Sequence, residues 1–145
     1  MDYFLGRIVE MYTHKVQYYE TDKMGITHHS NYIRWMEEAR VDMLEKINFG
    51  YDKLEAQGII SPVVGIECEY KESTRFAENI EIDVKITAYT GVRYTIEYEM
   101  RNVETKNIVA RGKSKHCFIN EKGRPIKIKD VHPAFDAKMK ELIQE

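Results

Sequence analysis

Asp22 stands in the turn-forming run Thr21-Asp22-Lys23-Met24-Gly25, and His28, His29 and Ser30 follow at the mouth of a helix-patterned segment. A carboxylate placed there can attack a carbonyl carbon or activate water. The unpaired N–H groups of a helix's first turn can receive the negative charge that then develops. A nucleophile or base together with such donors is the minimum equipment for acyl transfer. Simpler roles fit the same residue types. An aspartate in a T-D-x-x-G turn often closes its own turn, and Ser30 has the chemistry of a helix N-cap. No G-x-S-x-G elbow accompanies Ser30, so a Ser-His-Asp triad is not indicated. His28 and His29 are adjacent and lack an H-E-x-x-H frame or a third ligand, so neither a metal nor a cofactor is expected.

The elements that must position these residues are legible from periodicity. Ile8 to Tyr19 alternates as a half-exposed strand, with His14, Val16 and Tyr18 on one face. A helix is expected from about Asn31 to Lys46, capped by Ser30. Its apolar stripe is Tyr32, Met36, Ala39, Met43 and Ile47, widened by Trp35 and Leu44. Gly50 is the expected stop, and a short helical turn follows at 52–57. The period then changes to two. Strands are expected at 59–71, from Ile80 to Ala88, from Tyr94 to Arg101, and at 108–119, with a closing helix opened by Pro133. Short turns make the neighbours antiparallel. The result is an α+β layer in which one helix of roughly 25 Å covers one sheet face. So little helical cover for so much sheet predicts a homodimer or a dimer of dimers.

Composition bounds the function. The chain has 145 residues, a formal charge of −2, and ten tyrosines against one tryptophan and three prolines. That is the size of one domain, 1–145, and gives no electrostatic preference for nucleic acid. No signal peptide and no run of the roughly 20 apolar residues needed to span a membrane are present, so a cytoplasmic protein is expected. Cys68 and Cys117 are far apart, which argues against a disulfide framework or zinc site.

The segment Asp22, Gly25, Ile26, Tyr32, Trp35, Glu38, Ala39, Arg40 resembles the signature of the 4-hydroxybenzoyl-CoA thioesterase family, including its acyl-CoA hydrolases associated with the Tol–Pal system. The strand order is similar too, so the resemblance covers nearly the whole chain. It implies a hot-dog fold, a long central helix wrapped by a five-stranded antiparallel sheet, and hydrolysis of an acyl-CoA thioester to acid and CoA. Asp22 would be nucleophile or general base, the His29 backbone N–H the oxyanion donor, and Gly25 the close approach of the turn. Tyr19, Thr27, His28 and Tyr32 would border the substrate. Arg93 falls where the family contacts CoA, and Arg124, Lys127 and Lys129 are further candidates for its phosphates. Lys23-Met24 and Thr27-His28 depart from the benzoyl-CoA pattern, which argues against an aromatic acyl group.

Other readings stay open. Glu37 and Glu38 are an alternative pair of carboxylates on the central helix, with an Arg34–Glu38 ion pair as the simpler role. His116 and Gly112 fit an inner strand face, as a satisfied core histidine and as room for a neighbour. A non-catalytic protein binding acyl-CoA or acyl-carrier protein is the second functional class. A dehydratase ranks below both, because its histidine motif is missing.

Overall fold

Alternating strands and one striped helix assemble as the pattern requires. The computed structural model describes residues 11–143. The strands are β1 (Tyr12–Lys15), β2 (Val63–Tyr70), β3 (Asn79–Tyr89), β4 (Arg93–Asn102) and β5 (Ile108–Cys117). They form one antiparallel sheet in the order β1-β3-β4-β5-β2. Helices are α1 (Ser30–Lys46), α2 (Tyr51–Ala56), α3 (Ile128–Val131) and α4 (Pro133–Ile143). This is the α+β hot-dog arrangement.

Period two puts Ile80, Ile82, Tyr94, Ile96, Tyr98 and Met100 on one buried face, against which α1 lays Trp35, Met36, Ala39 and Met43. Gly112 lies under α1, where a Cβ would stand 2.8 Å from the Met36 tip, so its room for a neighbour is used. At the other end of the sheet His116 is buried, and only one of its nitrogens is satisfied. Its Nε2 faces the Ser114 hydroxyl at 2.7 Å, while Nδ1 has no partner among the described residues. Burial, and then the nearby Arg40 guanidinium, pull its pKa down to about 3, so it is neutral at pH 7.

Several boundaries differ from expectation for physical reasons. The first strand leaves the ladder at Lys15, and the chain tightens into a 3₁₀ turn at Tyr18–Glu20; Ile8 to Glu10 lie outside the described residues. Ser30 is not the N-cap. The helix begins at Ser30 after His29, and the serine hydroxyl meets His28 Nδ1 at 2.9 Å instead. Asn48, with φ +71°, makes the left-handed stop assigned to Gly50. Phe49 N–H then reaches back to the Leu44 carbonyl at 2.8 Å, closing the last turn. Pro62 has no N–H for a ladder, so β2 starts after it rather than at Ile59. The last strand ends at Cys117, leaving Ile119 in isolated bridges to Ile60 and Pro125. The Arg34–Glu38 pair does not form. Glu38 accepts from Tyr12 at 2.9 Å and faces His14 at 3.0 Å, while Glu37 pairs with Arg40 at 2.8 Å. Among the described residues no helix is long and apolar enough to cross a membrane.

Candidate active site

The turn that carries Asp22 is a small closed loop. Asp22 N–H donates to the Ile26 carbonyl and Gly25 N–H to the Asp22 carbonyl, both at 2.9 Å. Gly25 takes φ +78°, a conformation that strains residues with a Cβ. Asp22 Oδ1 accepts from Met24 N–H at 2.9 Å, so the simple turn role is real. It occupies one carboxylate oxygen. The other has no donor among the described residues.

The base of the loop is tied to the helix and to the chain after β2. The Glu20 carbonyl accepts from His28 N–H at 2.8 Å and from Asn31 Nδ2 at 3.0 Å. Thr27 N–H donates to the Thr74 carbonyl at 2.9 Å, and the two threonine hydroxyls meet at 2.6 Å. Tyr32 joins Thr74 at 3.0 Å, and the Tyr70 hydroxyl donates to the His29 carbonyl at 3.3 Å. The helix start is therefore held from β2 as well as from the turn. His29 N–H has no acceptor among the described residues, as expected for the first turn of a helix.

Asp22, Thr27, His29 and Tyr32 line one open cleft with a cavity volume of about 350 Å³, completed by Tyr70 and Lys71 at the end of β2. Burial raises the Tyr32 and Tyr70 pKa values, so both phenols stay protonated donors at neutral pH. A carboxylate oxygen and a backbone N–H, both without partners among the described residues and around one cleft, suit a reaction that turns a carbonyl into an oxyanion.

Not every expected residue is there. Gly25 shapes the turn without lining the cleft. His28 stacks on His29, with ring centroids 4.3 Å apart. Tyr19 is 80% exposed and is not among the residues that line the cleft. Arg93 lies opposite Cys117 on β5, whereas Tyr70 lies opposite Ala110. Seven residues of strand separate these ends by roughly 23 Å, so the Arg93 end of the sheet is remote from Asp22 within one chain. Lys127, Lys129 and Lys140 border a second cavity at that remote end, beside Gly91, and Arg124 lies exposed on the 120–124 turn. Tyr70 and Glu20 carry no distinguishing motif in the sequence. Tyr70 belongs to a distant strand, and Glu20 resembles any charged turn residue.

A hot-dog sheet with this cleft at the helix entrance defines the class of protein. The chain belongs to the thioesterase-like superfamily, whose family model matches residues 16–139. It is similar to YneP of Bacillus subtilis, a proposed acyl-CoA thioesterase, at 32% identity over 82% of this chain and 86% of that one. It is also similar to YbgC of Escherichia coli O6:H1, an acyl-CoA thioester hydrolase, at 29% over 62% and 67%. Among solved structures it resembles DHNA-CoA thioesterase from Staphylococcus aureus, with TM-score 0.86 and 31% identity over 92% of this chain and 89% of that one.

Proposed function

We propose that the protein hydrolyses an acyl-CoA thioester to the free acid and CoA, with Asp22 as the reactive carboxylate and the His29 N–H as oxyanion donor. One observation carries this reading. An oxygen of Asp22 and the N–H of His29, neither with a partner among the described residues, belong to residues lining the same cleft. Two courses suit it. Asp22 attacks the thioester carbon, expels the thiolate and forms a mixed anhydride that water opens, or Asp22 takes a proton from the water that attacks. A thiolate leaves readily, so neither course needs a strong acid. The relatives named for acyl-CoA hydrolysis support the activity. The finer membership, in the 4-hydroxybenzoyl-CoA family and its Tol–Pal-associated group, rests on the motif between Asp22 and Arg40. A cytoplasmic setting fits the two free cysteines.

The remote cations enter through a second copy. β2 is a sheet edge with Val63, Val64, Ile66 and Tyr70 all more than 40% exposed. A homodimer pairing β2 with β2 antiparallel reverses the second sheet end for end. The partner's Gly91 end, with Arg93, Lys127 and Lys129, then comes to the same end as the first copy's Asp22, where the phosphates of CoA would lie.

The experiment is a panel of aliphatic and aromatic acyl-CoA esters and acyl-carrier-protein thioesters, read by release of free thiol. Turnover of at least one ester supports the reading. The turn bond on Asp22 Oδ1 favours the second reading, a non-catalytic binder, and tight binding of esters without thiol release would establish it instead.

A further inference from the structure

Glu20, two residues before Asp22, is buried, with its side chain 5% exposed. A buried carboxylate is costly unless it is fully bonded, and this one accepts from three elements at once. Gln17 N–H and His14 Nε2 reach Oε1, and the Trp35 indole N–H reaches Oε2, each at 2.8 Å. Burial alone raises its pKa. The bonds from Gln17, Trp35 and His14 outweigh burial and hold it below the usual carboxylate range. His14 is brought from β1 and Trp35 from the middle of α1. The carbonyl of the same residue holds His28 N–H and the Asn31 amide. Glu20 is thus the junction of sheet, turn and helix, and the two reacting groups leave from it. Asp22 departs along the turn, and His29 follows His28 into the helix.

We infer that Glu20, with its donors His14 and Trp35, is a positioning residue for the proposed hydrolysis: it fixes the separation between the Asp22 carboxylate and the His29 N–H. The inference rests on the thioesterase reading for its kinetic effect, but not for its effect on the chain. Glutamine at position 20 has the same shape and only one acceptor oxygen. One side of its amide must then set a donor against a donor, at Trp35 or at His14 and Gln17.

The experiment compares the full-length wild type with Glu20→Gln, Trp35→Phe and the double variant. Thiol release is followed on whichever ester of the panel turns over, alongside deuterium uptake at the 28–31 amides and thermal melting. In Glu20→Gln, kcat is expected to fall 10- to 100-fold with KM within about threefold, because geometry and not binding is lost. Uptake at 28–31 rises while α4 stays protected. Trp35→Phe removes one donor and keeps most of the packing, so kcat falls a few-fold, and the double variant loses less than the product of the two. If Glu20→Gln does not fold, Trp35→Phe carries the same test alone. Unchanged exchange at 28–31 overturns the inference whatever the activity. So does a kcat loss that merely tracks the unfolded fraction. A wild type that hydrolyses no thioester, with exchange still freed in Glu20→Gln, defeats the hydrolase reading and leaves the positioning role standing.

Discussion

At the scale of the residue, Asp22 divides its two oxygens between tasks. Oδ1 closes the turn on Met24, and the proposed mechanism gives the other to substrate or water. Attack and base catalysis differ in where water oxygen first goes. A single turnover in ¹⁸O-water with excess enzyme is expected to label the Asp22 peptide if the anhydride forms, since water can open it at the aspartyl carbon, and only the product acid if Asp22 acts as base. Label in neither would mean that no hydrolysis occurred. Asp22, Gly25 and the helix entrance were legible because turn chemistry and helix periodicity are local in the sequence. Tyr70 was not, since it lies 41 positions from the His29 carbonyl that it bonds. Glu20 was not either, because burial of a charged side chain has no local signature. His14 was read only as sharing a strand face with Val16 and Tyr18, because its two carboxylate neighbours, Glu20 and Glu38, come from other elements.

At the scale of the element, strand and helix types followed from period, while their ends followed from contacts that period does not encode. The stop of α1 is the clearest case. Glycine appears at position 50, yet the left-handed residue is Asn48 at φ +71°. Asn48→Gly is expected to raise stability by about 0.5 kcal/mol and Asn48→Ala to lower it by about 1 kcal/mol in urea unfolding, since a Cβ without a compensating amide resists that conformation. An Asn48→Ala variant as stable as wild type would contradict this. Beneath α1, Gly112→Ala sets a Cβ 2.8 Å from the Met36 tip. Because that tip is flexible, the expected loss is about 1 kcal/mol, recovered in part by shortening Met36. No recovery would point to the Glu67 carbonyl, 3.3 Å away, as the obstacle.

At the scale of the whole molecule, one chain holds the cleft at one end of the sheet and the cavity bordered by Lys127 and Lys129 at the other. The proposed pairing of two copies through β2 would unite them. Light scattering is expected to give twice the 17.2 kDa chain mass, and Val64→Lys on the open edge should lower that mass and the activity together. A fully active monomer would remove the dimer from the account. The core also sets an acid limit. His116 has its pKa held at about 3 when folded and near 6.5 when unfolded. The unfolded chain therefore binds the extra proton first, and stability is lost as pH falls from about 6.5 toward 3. His116→Gln should flatten that part of the pH–stability curve. Equal slopes in both proteins would show that His116 is not its source. The shortage of helical cover gave only the expectation of a dimer, whereas the opposite ends taken by Arg93 and Asp22 required the strand register.

The central claim concerns Asp22, and Asp22→Asn tests it most directly. Asparagine keeps an oxygen for the Met24 N–H and removes the carboxylate, so the turn and the melting temperature are expected to hold. On an ester that the wild type hydrolyses, kcat should fall at least 100-fold with KM little changed. A folded Asp22→Asn protein with wild-type turnover would contradict the account.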